Sequence, residues 1–493
     1  MRCLVTGATG YVGGRLAPRL LAQGHTVRCL ARSARRLRDV PWAARVEVVE
    51  GDLRRPETLP AAFADVDVAY HLVHSLGQAG FEAADREATT NFARAARAAG
   101  VRRIVYLGGP EPAADTRPSP HLRSRSEVGR ILLASGVPTV VLRAAVIIGS
   151  GSASFEMLRH LTERLPVMVT PRWVRNRIQP IAVRDVLRYL VAAVELPPDV
   201  NRAFDVAGPD VLTFTDMMQR YAAVAGLRRR IVLPVRPLTP SLSSHWVGLV
   251  TPVPNRIARP LVESLVHEAV AHEHDIARYV PDPPGGLTGF DDAVRLALAR
   301  VRDAEVETRW STASGPDAPA EPLPSDPKWS GGSVYTDVRS RRVAAPPDAL
   351  WRVVEGVGGD HGWYSFPLAW SVRGWLDRLV GGVGLRRGRR HPHRLHVGEA
   401  LDFWRVEEIV RGELLRLRAE MRLPGRAWLE MRVEPTDDGG SRYAQRAVFL
   451  PRGLAGHAYW AAVAPFHAVV FGGMARNIAR GAEQITRAGP EHP

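Results

Sequence analysis

Leu4 and Val5 run directly into Thr6-Gly7-Ala8-Thr9-Gly10-Tyr11-Val12-Gly13, and a second apolar stretch from Leu16 to Leu21 follows. This order predicts a strand, a glycine turn and a helix. Gly7 permits the tight turn, Gly10 lets backbone come close to a phosphate, and Gly13 lets the helix lie close on the strand. The free N–H groups and dipole at such a helix start favour a pyrophosphate, so Thr6, Gly7, Thr9, Gly10, Tyr11, Val12 and Gly13 are candidate dinucleotide-binding residues. A glycine loop alone is a weak signal, and the pattern downstream decides.

That pattern is the repeating unit of a doubly wound parallel sheet. Strands are expected at His25–Ala31, Arg45–Glu50, Val66–Leu72, Ile104–Leu107 and Thr139–Leu142, with helical stretches between most of them. Where an acid after the second strand would accept ribose hydroxyls, this chain has Arg32-Ser33 followed by Arg35 and Arg36. These cations suit a 2′-phosphate, which favours NADP, with NAD as the alternative. They also fit a solvated helix start in an arginine-rich chain.

These residues resemble the short-chain dehydrogenase/reductase superfamily in its extended and atypical branches. Thr6-Gly7-x-x-Gly10-x-x-Gly13 resembles the cofactor loop of that Rossmann fold. Gly51-Asp52-Leu53 is similar to its adenine-contacting turn, which implies Asp52 and Leu53 as cofactor contacts. Gln179 to Val186, with Val183-Arg184-Asp185-Val186, resembles the segment closing the core, and the likeness spans residues 1 to about 300. The resemblance implies a Ser, a Tyr and a Lys four residues later as catalytic groups, and here the chain departs from it. The strand that should carry the Ser ends Tyr106-Leu107-Gly108-Gly109, and the Tyr-x-x-x-Lys position aligns with His121-Leu122-Arg123-Ser124-Arg125. The only lysine in the chain is Lys328. His121 is then the candidate for exchanging a proton near neutral pH and Arg125 for holding the ribose, or both are plain replacements in a site that binds cofactor without ordinary carbonyl reduction.

With 493 residues and 45% apolar content the chain can build two or three cores. Its net charge of +15 comes almost wholly from arginine. Codon usage, nucleic acid or an anionic membrane would each explain such a balance, but the densest run, Arg386 to Arg390, lacks interleaved aromatics, so no nucleic-acid partner is expected. The two cysteines, Cys3 and Cys29, fall on expected strands and imply no disulfide framework. The N-terminus enters the first strand without a leader, and a cytoplasmic location is the expectation.

Residues 143–302 read as a substrate-side lobe, with Gly149 to Phe155 as a turn at the cleft and Leu161 to Met168 and Trp173 as its lining. His267, Glu268, His272, Glu273 and His274 invite a metal reading. Their spacing does not share one helix face as H-E-x-x-H does, so a polar helix face is expected and no metal site is assigned. Leu238 to Val253 reads as a lid or contact surface. Residues 303–332 carry five prolines with Ser, Gly and Asp, the composition of a linker.

Residues 333–488 start again with a strand and a short helix, continue as alternating strands from Leu401 to Leu450 and end in a long helix. This order is similar to the START-like helix-grip superfamily, an α+β fold, and the whole chain resembles a group of bacterial two-domain proteins. Gly358 to Tyr364, Asp402 to Val406 and Pro424 to Glu430 carry that likeness, which implies an apolar cavity for a ligand. Trp404, Trp428, Phe449 and Trp460 are candidates to line it, or to be ordinary aromatic core. Gly453 to Ala475 holds no Lys, Arg, Asp or Glu. A bilayer span, peripheral membrane contact and a helix buried on a curved sheet all fit it. His391, His393 and His396 read as a polar loop.

Three functions follow as expectations. The first is an NADP-dependent oxidoreductase of non-standard mechanism acting on a small molecule. The alternative is a non-catalytic NADP(H) sensor, like the nitrogen metabolite repression regulators. An accessory role near quinones is a third, by analogy of fold. The sequence leaves substrate and oligomeric state open.

Overall fold

The computed structural model describes residues 1–38, 40–75, 80–111, 118–235, 247, 250–304, 333–358, 363, 394–421 and 423–488. Residues 305–332 of the expected linker, the arginine run 386–390, His391, His393 and most of the 238–253 stretch lie outside them. The chain divides into two compact units, Met1–Gly332 and Ser333–Pro493.

In the first unit, β1 (Arg2–Thr6) leads through the glycine turn to α1 (Tyr11–Ala22), followed by β2 (Thr26–Ala31), β3 (Glu47–Glu50) and β4 (Val68–His71). Next come α2 (Phe81–Ala98), β5 (Arg103–Gly108), α3 (Pro120–Leu133) and β6 (Thr139–Arg143). The lobe adds α4 (Ala153–Arg164), α5 (Val183–Ala192), β7 (Arg202–Asp205), α6 (Phe214–Val224), α7 (Asn255–Ser264) and α8 (Phe290–Ala304). The strands form one parallel sheet in the order β7-β6-β5-β4-β1-β2-β3.

Alternation along each strand builds two cores. Cys3, Val5, Tyr70, Val105 and Leu142 face the side covered by α1 and α5, while Leu4, Ala69, Ile104 and Val141 face Phe92, Val128 and Leu132 on α2 and α3. Cys3 and Cys29 are free and buried, and burial pushes both thiols up to about 12, which keeps them unreactive.

The sheet has a strand more than the six expected. β7 is short and begins with the exposed Arg202, so it lacks an apolar run; what fixes it is a partner far away in sequence. Arg103, 3% exposed, donates to the carbonyls of Leu196 (2.8 Å) and Pro197 (2.7 Å) just before it. Part of the arginine excess is therefore structural, as is Arg28, which bonds Glu47 at 2.8 Å and the Ala62 and Ala64 carbonyls. The lobe has its own core around Phe155, Leu158, Met217, Tyr221 and Val294.

The second unit is an antiparallel sheet with helices. β8 (Tyr335–Val343) precedes α9 (Pro347–Glu355), and β9 (Ala400–Leu401), β10 (Trp404–Val410), β11 (Leu414–Ala419), β12 (Gly425–Pro435) and β13 (Ser441–Pro451) follow. The order is β8-β13-β12-β11-β10-β9. The chain then forms α10 (Gly453–Ala488), whose Phe471, Met474, Ala475 and Ile478 pack on Leu350 and Val354 of α9 and on the sheet. Pro465 lies inside α10, and its two halves, Gly453–His467 and Val469–Arg487, meet at 44°. Among the described residues no single helix is long and apolar enough to cross a membrane.

Arg416 and Glu430, directly opposite on β11 and β12, are 1% and 3% exposed and bond at 2.9 Å. Glu430→Ala should lower the stability of the second unit by about 3 kcal/mol in urea unfolding, because it leaves a buried guanidinium short of a counter-charge. Replacing Arg416 and Glu430 together by Met should cost much less than that single change.

Candidate functional site

The glycine loop is a cradle with no room for side chains. Gly7 adopts φ +79°, where a Cβ would also lie 2.6 Å from the Leu72 carbonyl oxygen. A Cβ on Gly13 would run into the Gly7 carbonyl, so only glycine lets α1 start against β1. Gly10 N–H donates to Gly7 O at 2.8 Å and closes the turn. The first turn of α1 has no acidic residue, and Gly10 offers no side-chain cap, so its N–H groups are open to an anion. These features fit a pyrophosphate, with Gly7, Thr9, Gly10, Tyr11, Val12 and Gly13 around it. Thr6 departs from the expectation. It is fully buried and its hydroxyl donates to Tyr70 O at 2.8 Å, tying β1 to β4 instead of facing a ligand.

Arg32, Arg35 and Arg36 are exposed at the end of β2, and none makes an ion pair among the described residues. The nearby Glu50 carboxylate is engaged by Ala34 N–H at 2.7 Å. Asp52 sits half-buried after β3, and its Oδ1 accepts from Arg54 N–H at 3.0 Å. The Leu53 side chain is spent on the core beside Leu30 and Leu59, and its carbonyl accepts from Asn91, so of this pair Asp52 is the group left for an adenine.

The opposite end of the cleft lies where β4, β5 and α3 meet. Gly109 faces the side chains of Leu122 and Arg125, so the place of the expected Ser is filled by helix packing. Arg125 donates to the Tyr106 hydroxyl at 3.4 Å, and its charge acts on His71, His74 and His121 together. Burial raises the Tyr106 phenol above its ordinary value, so it cannot stand in for the missing acid.

His121 differs from the expected near-neutral proton carrier. Burial, then the Arg125 charge, pulls it down to about 3, so at neutral pH it is an uncharged imidazole. Its Nδ1 lies 3.0 Å from Ser264 Oγ, and that hydroxyl already donates to Pro260 O at 2.8 Å. Ser119 Oγ lies 3.0 Å from the same hydroxyl, and with the Ser264 proton on Pro260 O the tautomer that completes this set has the proton on Nδ1 and leaves Nε2 as the acceptor. His74 and Ser264 were invisible in the sequence because each comes from a separate loop or helix. Asp85 on α2 brings these parts together, accepting from Ser75 N–H at 2.7 Å and from the Ser124 hydroxyl at 3.2 Å.

Other expectations are corrected. Leu161 and Met168 are buried in the lobe core and Trp173 packs against it. His267 to His274 form a loop bridged at Ala269 to β-structure near Ile178, not a helix face, and Glu268 pairs with Arg177 at 3.1 Å. No group of three metal-ligating side chains occurs among the described residues. A Cβ at Gly149, on the turn opening the lobe, would run into Tyr11 Oη and lie 2.6 Å from the Val183 side chain, so this turn runs close against the Tyr11 ring at the start of α1. The Gln179 to Val186 segment closes the lobe through Asp185, which accepts from Thr288 N–H at 2.8 Å.

His71 supplies a pH prediction. It is 1% exposed, packed against the tilted rings of Phe92 and Tyr106, and held down to about 3 by burial and the Arg125 charge, against 6.5 when free. The unfolded chain takes up its proton first, so stability is full above 6.5 and falls as pH drops toward 3. Between pH 6.5 and about 5 this one group should remove about 1.5 kcal/mol, and His71→Phe should make the fall in that window shallower by about that amount in urea unfolding at stepped pH, with His74 and His121 still contributing.

Comparison with known proteins agrees with this geometry. Residues 7–146 match a family described as NAD(P)H-binding, and residues 329–474 match a family described as a protein of unknown function, DUF2867. The photosystem II assembly factor Ycf39 of Synechocystis sp. is 26% identical over 238 residues, 47% of this chain and 70% of that protein. The ceramide reductase of Caulobacter vibrioides is 29% identical over 310 residues, 59% of this chain and 92% of that protein. Citrobacter sp. triphenylmethane reductase complexed with NADP(H) superposes with a TM-score of 0.48 at 21% identity, covering 60% of this chain and 100% of that one. The open cradle at the start of α1 and the parallel sheet agree with the match of residues 7–146 to the NAD(P)H-binding family.

Proposed function

We propose that the first unit is an NADP(H)-dependent oxidoreductase that works without the Ser-Tyr-Lys machinery. The observation that carries this reading is the pairing of an intact pyrophosphate cradle with a cation, Arg125, and an oriented neutral imidazole, His121, at the opposite end of the same sheet edge. A bound nicotinamide supplies or accepts a hydride. Arg125 stabilises negative charge developing on a substrate oxygen, and His121 Nε2 accepts a hydrogen bond from a substrate hydroxyl or from the water that delivers the proton. With a conjugate acid near 3, His121 is a weak base and orients more than it ionises. Simple ketones, which need a strong proton donor, are therefore poor substrates. The reductase name of the Caulobacter relative supports the reductive direction.

Arg32, Arg35 and Arg36, which make no ion pair among the described residues, support NADP over NAD, since a guanidinium gains more from a phosphate than from hydroxyls. The second unit is read as a START-like helix-grip domain, on the order of its strands and the packing of α10 against its sheet. A second reading, cofactor binding without turnover, draws on the depressed basicity of His121.

Two measurements test this. Titration calorimetry should show NADPH binding more tightly than NADH, with Arg32→Asp reversing the order; equal affinities in the parent protein would count against the assignment. Loss of the reduced-nicotinamide absorbance across a panel of carbonyl compounds and quinones should show turnover. His121→Ala should reduce it by about 10²-fold at little change in cofactor affinity. The rate should show no limb near pH 6.5, because His121 is already uncharged there. Tight NADPH binding with no turnover of any acceptor would transfer the chain to the sensing reading.

A further inference from the structure

Along its length α10 buries one side and exposes the other. Phe471, Met474, Ala475 and Ile478 face α9 and the sheet, and the opposite side is exposed at helical spacing from Leu454 to Arg487. The two halves of that exposed side differ in kind. In the first it consists of Leu454, Ala458, Ala462, Pro465, Phe466 and Val469, with no polar side chain among them. Leu454 is 53%, Phe466 71% and Val469 54% exposed. In the second it consists of Arg476, Asn477, Arg480, Gln484 and Arg487, the composition of an ordinary solvated helix face. Single exposed apolar residues need no explanation. A row of them running about 24 Å along one helix is a patch, and such patches mark contact surfaces.

Charge decides what this surface meets. Arg452 precedes the row, Arg426 is exposed on β12 opposite Leu450 of β13, and Arg476, Arg480 and Arg487 continue the same face of α10. Glu483 is the only acid in α10, and its carboxylate accepts from Ala344 N–H at 3.4 Å. The apolar row is thus bordered by cations at both ends. A second copy of α10 fits such a face poorly, because parallel pairing sets arginines against arginines and antiparallel pairing lays them on the partner's apolar half. An anionic bilayer matches both halves: acyl chains receive the apolar row, and headgroup phosphates receive the guanidinium groups. α9 and the sheet hold the other side of α10, so the helix lies along such a surface and does not cross it.

We propose that the exposed face of α10 docks the chain on an anionic lipid bilayer, with Leu454, Phe466 and Val469 entering the acyl boundary and Arg476, Arg480 and Arg487 meeting headgroup phosphates. This surface is independent of the nicotinamide chemistry of the first unit.

The test is co-sedimentation of the full chain with vesicles of phosphatidylcholine alone, or of phosphatidylcholine and phosphatidylglycerol in equal parts. Binding to the anionic vesicles should be about 10²-fold tighter, the contribution of three arginines near a charged surface, and should fall steeply with added salt. The triple variant Leu454→Ser, Phe466→Ser, Val469→Ser should bind those vesicles about 10²-fold more weakly, with thermal unfolding as the check that it folds. A second readout avoids that variant. Cys3 and Cys29 are buried, so Phe466→Cys provides one accessible thiol for an environment-sensitive dye. Its emission should shift to the blue on anionic vesicles, and the same dye at Asp437→Cys, in the turn at the far end of β13, should not shift. No sedimentation with either vesicle, equal binding to both, unchanged binding by the triple variant or an unshifted dye at position 466 would overturn the proposal. So would a stable dimer of the unaltered chain that the triple variant converts to monomer, since the face would then belong to a second copy.

Discussion

The backbone contact between Gly13 and the Gly7 carbonyl governs the first unit. It sets how closely α1 approaches β1, and so where the open N–H groups of that helix point relative to the carboxyl edge of the sheet. Any side chain at that crossing would lift the helix and take the anion site with it. Hydrophobic burial builds the sheet but would tolerate small shifts; two backbones in van der Waals contact do not. The rest of the site follows from that edge. β4 and β5 deliver His71 and Gly109 to it, and α3 returns over it with His121 and Arg125.

The legible parts of this chain were those in which one segment carries its own signal. The glycine loop, the second to sixth strands to within two residues at either end, and the long terminal helix each announce themselves through local periodicity or turn chemistry. β7 did not, because Arg202 to Asp205 becomes a strand only through pairing with β6 and the grip of Arg103 on the chain before it. The same reason hid Ser264. Its role at His121 arises from two helices 143 residues apart, and no spacing rule reaches that far. The resemblance also placed Thr6 among the cofactor contacts, whereas the fold uses its hydroxyl to join two strands, a choice that residue identity alone does not reveal. Trp404, Trp428, Phe449 and Trp460 do meet around one cavity, but their convergence depends on strands and a helix from both ends of the second unit.

The two units handle buried polarity in different ways. In the first, arginines reach inward to collect backbone carbonyls, as Arg28 and Arg103 do, and the sheet edge carries imidazoles kept uncharged by their surroundings. In the second, charge is matched across the sheet by Arg416 and Glu430, which leaves the α10 side of the sheet to aromatic rings. A chain nearly free of lysine suits the first arrangement. A guanidinium can satisfy several carbonyls at once from a fixed plane, and an ammonium group cannot.

The contact of Gly149 with the Tyr11 hydroxyl joins two events usually treated separately. Tyr11 begins the helix that receives the pyrophosphate, and Gly149 begins the lobe beyond the sheet. A shift of the Gly149 backbone reaches the start of that helix through the Tyr11 phenol. Position 149 is therefore tied to glycine by a residue at the far end of the domain sequence: any larger side chain there would displace the Tyr11 ring and, with it, the first turn of the helix that forms the nucleotide cradle.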